Sequence, residues 1–173
     1  MRKILLHTCC APCTTYPNKW LVENGFEVTG YFYNPNIKPE EEYAKRLATM
    51  RAYADQSGFR FLFEPNDVEH VSGRCSDCYE MRLLKTAQKA KELGYDCFST
   101  TLLISPYQNH ELVREIAQKV RVVCDIDFFY QDFRIGYRES RSMSRELNLF
   151  MQKYCGCGVR IDNAKINRAV SAK

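Results

Sequence analysis

The chain has 173 residues, enough for one domain with a real core, and 45% hydrophobic against 27% charged residues is ordinary for a globular protein. Its formal charge of +4 identifies no partner, but the distribution is uneven: from Arg134 onward nine Lys/Arg stand against three Asp/Glu, while residues 1–133 carry 16 against 18. No run approaches the roughly 18–20 apolar residues of a membrane span, and MRKILLHT has too short an apolar run for a signal peptide. The expectation is a soluble cytoplasmic protein. Nine cysteines, an odd number in reducing surroundings, then favour metal binding or redox chemistry over a disulfide framework.

In chain order, KILLHT (3–8), FEVTGYFYN (26–34), FRFLF (59–63), DCFSTTLLIS (96–105) and RVVCDIDFF (121–129) read as strands. Helical patterns lie between them. Pro39 suits a first turn, Glu40, Glu41 and Glu42 follow it, and Tyr43, Leu47, Met50 and Ala54 make an apolar stripe closed by Gly58. Residues 76–93 read as a second long helix ending at Gly94. Residues 108–120 carry Leu112, Ile116 and Val120 on one face. Residues 137–153 carry Leu147, Phe150 and Met151. Strands alternating with helices predict an α/β fold, a single three-layer α/β/α domain over residues 1–173. Its mainly parallel sheet has about five strands in a nucleotide-binding-like layout, and its C-terminal part from about 134 is basic and helical. Ligands of such sheets bind beyond the C-terminal strand ends. HTCCAPC (7–13), NPN (34–36) and SPY (105–107) all fall at that rim.

Three cysteine groups carry the chemistry. Cys9, Cys10 and Cys13 crowd the end of the first strand, where a following helix N-terminus favours thiolates. Adjacent Cys9 and Cys10 point in different directions and need not serve one ion, although a cluster accepts ligands from several sides. Cys10 and Cys13 form a CxxC, as in thioredoxin-like redox sites. The loop lacks the glycines of a phosphate cradle. Cys75 and Cys78, in RCSDC, share one face at a helix start. Four thiolates can hold a tetrahedral zinc or a cubane cluster. Cys155 and Cys157, in CGC, would close a strained, easily reduced ring if oxidised, which suits an electron relay; they can instead bind a metal. Cys97 and Cys124 lie in predicted strands and read as small buried hydrophobes. The residue chemistry leaves structural zinc, an iron or iron–sulfur site, and a thiol–disulfide enzyme all open.

Other groups have a bland reading beside a sharp one. His7 adjoins the first cluster but reads as a strand-end histidine, and His70 and His110 have no clear partner. Asp77, between Cys75 and Cys78, caps the helix or binds a metal. Arg138, Arg141 and Arg145 share a helix face, either solvated or a phosphate track. Tyr107 at the rim can donate a proton or stack on a base.

HTCCAPC, RCSDCYEMRL, TTLLISPYQNH, FRIGYRESR and YCGC, in that order over residues 7–157, resemble the cobalamin-independent epoxyqueuosine reductase family, the QueH type. One departure follows CGC, where the family has an aromatic–serine pair and this chain has GVR. The resemblance implies the last step of queuosine synthesis: a two-electron deoxygenation of epoxyqueuosine at the wobble position of tRNA. It implies a [4Fe–4S] cluster on Cys9, Cys10, Cys75 and Cys78, and an additional iron ion for which Cys13 and Asp77 are the candidates. It also implies Cys155 and Cys157 as a redox-active pair. Tyr107 is a candidate proton donor. Arg134, Arg138, Arg141 and Arg145 are the candidate tRNA contacts. The external electron donor is unidentified.

Two other function classes compete. A zinc-stabilised RNA-binding module without catalysis explains the basic tail and some cysteines, but not CGC. A tRNA thiolation enzyme shares the alternating layout, yet needs a glycine–serine-rich pyrophosphate loop where this chain has CCAPC. A thioredoxin-like oxidoreductase is a further alternative, but its usual topology and single CxxC fit this chain poorly.

Overall fold

The computed structural model describes residues 1–67 and 73–156. His70, Cys157, GVR and the basic tail beyond them lie outside the described residues. A five-stranded sheet runs β3 (Phe61–Phe63), β2 (Phe26–Phe32), β1 (Arg2–His7), β4 (Cys97–Thr100), β5 (Asp127–Phe128). All four pairings are parallel. The α/β expectation holds, and the sheet is wholly rather than mainly parallel.

Helices α1 (Ala11–Glu23), α2 (Glu40–Ser57), α3 (Cys75–Glu92), α4 (His110–Cys124) and α5 (Tyr137–Glu146) connect or flank the strands. Right-handed crossovers through α1 and α2 carry the chain one way from β1, and those through α3 and α4 carry it the other way. Helices therefore cover both faces. The main core packs β1, β2 and β4 against α3 and α4 through Ile4, Leu6, Leu83, Ala87, Phe98, Val113 and Ala117. A second cluster joins Ala11, Phe32, Ile37, Met50, Tyr53, Phe59 and Leu149. No helix among the described residues is long and apolar enough to cross a membrane.

Several expected boundaries move. Thr101–Ile104, read as strand, is a buried 3₁₀ turn whose start is capped by the Thr100 hydroxyl accepting from Leu102 N–H at 3.1 Å. Residues 121–124, with the β-branched pair Val122 and Val123, belong to α4, so Cys124 is helical. Val122 and Val123 there point to solvent, and burial of Val113, Ile116, Ala117 and Val120 decides the helix. α5 stops at Glu146, and Phe150 and Met151 lie beyond it. On α2 the fully buried side is Arg46, Thr49, Met50 and Tyr53. Tyr43 and Leu47 pack only at its flank.

α5 seats on α1 through small residues. Gly136, Ser140 and Ser144 are all buried, and Ser140 hydrogen-bonds the Thr15 hydroxyl at 3.0 Å. A Cβ on Gly136 would fall 2.1 Å from the Tyr16 ring. The φ of Gly136 is −89°, so alanine meets no backbone strain there and its whole cost is steric. Gly136→Ala is expected to destabilise by about 1–3 kcal/mol, the usual cost of overpacking, read as a lower urea midpoint at unchanged slope. A midpoint equal to wild type would show that the α1–α5 approach is not tight.

Candidate active site

β1 lies between β2 and β4, with crossovers leaving in opposite directions, so its C-terminal end is the topological switch point where such sheets open a crevice. HTCCAPC occupies this end. Its backbone is held from both sides: Thr8 N–H donates to the Tyr31 carbonyl at 2.9 Å, and Cys9 N–H donates to the Thr101 hydroxyl at 3.1 Å. Cys10 is extended and caps α1, its sulfur accepting from Cys13 N–H at 3.4 Å. Pro12 is tolerated in the first turn because the N–H it lacks has no intrahelical partner there.

This arrangement gathers three sulfurs. Cys9, Cys10 and Cys13 place their Sγ atoms within 4.8 Å of one another, and Cys9 and Cys10 are 3.8 Å apart. Adjacency in sequence therefore does not separate them. Thiolates bound at about 2.3 Å to one tetrahedral metal stand about 3.8 Å apart. The group thus already has the spacing of ligands to a single ion. Hydrogen bonds from the Cys10 and Cys13 thiols hold Cys9 well below the usual thiol range, with help from the Thr101 hydroxyl at 3.3 Å. Burial pushes Cys10 up, and thiol contacts with Cys10 and Cys9 push Cys13 up. Of the three, Cys9 is the thiol that gives up its proton most readily, and a soft metal binds thiolates.

A cleft opens above this group, lined among others by Cys9, Cys13, Tyr107, Tyr137, Arg141 and Cys155. Cys155 arrives on a strap, residues 154–156. Arg46, 1% exposed, donates to the Tyr154 carbonyl at 2.7 Å and the Cys155 carbonyl at 3.2 Å, while its Nε pairs with Glu42 at 2.9 Å. Lys38 N–H donates to the Gly156 carbonyl at 2.9 Å. Gly156 has φ +124°, a conformation closed to side-chain-bearing residues in practice, and a Cβ there would press on Asn36 and Ile37. The middle residue of CGC is therefore set by its docking against the chain.

Cys75 and Cys78 stand outside the group of three sulfurs. Cys75 is exposed at the start of α3 and Cys78 is buried a turn later. Burial is the main reason the Cys78 thiol is pushed up, and the thiols of Cys155 and Cys75 add to it. Cys78 is thus electrostatically within reach of the strap. Asp77 does not cap α3; Arg74 holds the cap position, and the two ion-pair at 2.8 Å. The Tyr107 hydroxyl lies close enough to Tyr137 to oppose the burial that raises the Tyr137 pKa. The rim loop bearing Tyr107 is tied to α3, where the Tyr79 hydroxyl donates to Gln108 Oε1 and accepts from Asn109 N–H.

Of the four arginines singled out, Arg141 lines the cleft, while Arg138 and Arg145 are exposed on the same helix. Arg134 is forked onto Asp132, Nε to Oδ1 at 2.9 Å. His7 is buried and neutral. Its Nε2 faces the Tyr33 carbonyl and Asn34 Oδ1, both acceptors, so the proton sits there and Nδ1 accepts from the Thr100 hydroxyl. Burial, with the charge of Arg82, lowers its pKa to about 4. The bland reading of His7 holds.

The sequence reading missed Arg46, Arg82 and Gln152. Arg82 sits four residues after Cys78 and so on its face, a signal that was available. Arg46 was hidden by a more obvious apolar stripe. Gln152 donates to the Cys10 sulfur at 2.7 Å from a segment with no periodic pattern.

The epoxyqueuosine reductase QueH family model matches residues 4–160. An epoxyqueuosine reductase QueH of Dehalococcoides mccartyi is 42% identical over 164 residues, covering 90% of this chain and 90% of that one. Another, of Streptococcus pyogenes serotype M1, is 37% identical, covering 89% of this chain and 68% of that one. Among solved structures, a predicted subunit of a tRNA methyltransferase from Methanocaldococcus jannaschii superposes with a TM-score of 0.56 at 12% identity, over 84% of this chain and 75% of that one, a likeness of fold. With HTCCAPC, the cleft and the strap all inside the matched span, the chain belongs to the epoxyqueuosine reductase QueH family and is an oxidoreductase.

Proposed function

We propose that this chain converts epoxyqueuosine in tRNA to queuosine, the last step of queuosine biosynthesis, with a [4Fe–4S] cluster and an additional iron ion as its metals. The observation that carries this reading is the convergence of Cys9, Cys10 and Cys13 at the switch point of the sheet, under a cleft that also receives Cys155. Cys9, Cys10, Cys75 and Cys78 are the proposed cluster ligands, and Cys13 and Asp77 the candidates for the further iron. The donor chemistry fits, since the residues are mostly thiols, Cys10 and Cys75 sit at helix N-termini and Cys9 is already inclined to ionise. The spacing in this structure is that of a single ion on Cys9, Cys10 and Cys13, so a cluster on the two pairs requires Cys9 and Cys10 to spread and the pairs to approach.

The reaction breaks both C–O bonds of the epoxide, forms a C=C bond and releases the oxygen as water, consuming two electrons and two protons. When bound, iron supplies single electrons and a Lewis acid for the oxygen. The rest falls to the chain. Tyr107, beside Tyr137 in the cleft, is the proposed proton donor. Cys155 with Cys157 is the proposed two-electron store, giving two electrons and two protons as it closes to a disulfide and being reset by an external donor. Arg141 reaches into the cleft, while Arg138 and Arg145 face outward on the same helix. That division suits a base received in the cleft and stem phosphates held on the surface. Arg134, committed to Asp132, offers the least to a phosphate.

Anaerobically purified protein is expected to be brown, with about four iron and four sulfide per chain plus further iron, and to deoxygenate epoxyqueuosine-containing tRNA. A protein that stays colourless after anaerobic reconstitution and holds only zinc would sink the iron–sulfur reading. Replacing both Cys155 and Cys157 with serine should leave iron and sulfide content intact and abolish multiple turnover. Undiminished turnover would remove the pair from the electron path. Arg138→Gln with Arg145→Gln should weaken tRNA binding and lower its salt dependence by roughly one counterion per lost contact. An unchanged salt slope would take this face out of the interface.

A further inference from the structure

Two arginines among the described residues are almost fully buried, and their surroundings differ. Arg46, 1% exposed, has a carboxylate partner in Glu42 and two carbonyl acceptors. Arg82, 2% exposed, has no carboxylate partner among the described residues. Among the described residues, both of its hydrogen bonds go to Cys78: Nε to the carbonyl and one terminal nitrogen to the sulfur, each at 3.0 Å. It stands one turn after Cys78 on α3 and lines the cleft together with Cys9, Cys13 and Cys155. The Tyr79 ring, 5.9 Å away, is its other favourable contact for charge.

A guanidinium stays charged in any protein environment. Burying it without an anion is costly, which is why buried cations are paired almost without exception. The acceptor that Arg82 has, apart from a carbonyl, is a thiol that must become a thiolate to bind metal. A [4Fe–4S] centre on four thiolates carries net negative charge, and that charge increases by one on reduction. A fixed cation donating to a ligand sulfur favours the reduced form, and hydrogen bonds to sulfur and local charge are the levers that set such potentials.

We propose that Arg82 is the built-in counter-charge of the metal centre, a positioning residue that acts through Cys78 to hold its thiolate and raise the centre's reduction potential, an assignment that rests on the iron–sulfur reading of the site. The residue does not touch the epoxide. Its role is to let a donor of moderate potential reduce the centre.

The test is an EPR-monitored redox titration, with iron and sulfide analysis, of the reconstituted full-length protein, its Arg82→Gln variant and its Arg82→Lys variant. Arg82→Gln should hold a centre whose reduction constant falls at least tenfold, about 59 mV more negative for one electron. Arg82→Lys should recover most of that shift. If Arg82→Gln loses the centre while Arg82→Lys keeps it near the wild-type potential, the charge is again what matters and the proposal stands. Equal potentials in wild type and Arg82→Gln would overturn it while leaving the iron–sulfur reading intact. Loss of the centre in both variants would also overturn it, because shape rather than charge would then be decisive. A wild-type protein that forms no iron–sulfur centre would instead bring down the reading beneath it.

Discussion

Everything at the site depends on how β1 ends. The strand is hydrogen-bonded to β2 on one side and β4 on the other, and the chain leaves those neighbours over opposite faces. Covering helices thus part where β1 stops, and the residues after His7 enter a gap that no neighbouring connection fills. Thr8 and Cys9 are pinned there by one bond to each neighbouring segment, to Tyr31 and to Thr101. With the backbone so fixed, Cys10 has to cap α1, and the sulfurs of Cys9, Cys10 and Cys13 have to converge. The convergence of the three sulfurs is a consequence of sheet order, provided cysteines stand at those three positions.

The second organising feature is buried positive charge. Arg46 and Arg82 enter from helices on opposite faces of the sheet, α2 and α3, and both line the cleft. Arg46 spends its donors on the strap that delivers Cys155, while Arg82 directs its donors at Cys78. A positive interior favours thiolates and anionic ligands in such a cleft. Here the charge sits on the side chains that also fix the geometry. His7 completes the arrangement by staying neutral. Three acceptor or donor groups hold its ring, and with Arg82 nearby a second cation is excluded from the strand end.

The strands at the centre of the sheet were legible because they are short apolar runs bounded by turn residues, and α2 because Glu40–Glu42 and Gly58 mark both its ends. The segments that misled did so through local preference. Val122, Val123 and Cys124 look like strand, yet the helix they extend is decided by residues one to three turns earlier. TLLI is apolar enough for a strand, but a threonine cap turns it into 3₁₀. At the site, cysteine spacing exposed the candidate ligands and CGC exposed the strap. It did not show which sulfurs meet, because that follows from the extended conformation of Cys10. Nor could pattern reading find Arg46, since a buried arginine on an apolar face is recognisable only through its partners 108 and 109 residues away.

Those distant partners explain why the strap belongs to the site. Gln152 donates to Cys10 at 2.7 Å and reaches toward Cys13 at 3.7 Å, so the segment leading to CGC is hydrogen-bonded to the sulfurs at the end of β1. Arg46 and Lys38 fix the strap from the other side, and the Tyr154 hydroxyl donates to the Lys38 carbonyl at 2.6 Å. An amide donor to sulfur bonds more strongly when the sulfur is a thiolate. Were Cys10 ionised by a bound metal, its link to Gln152 would tighten, and with it the hold on the segment that leads to Cys155. Cys155 lines the same cleft as Cys9 and Cys13. The sulfurs at the end of β1 and the segment that carries Cys155 are thus held together through one amide and one guanidinium.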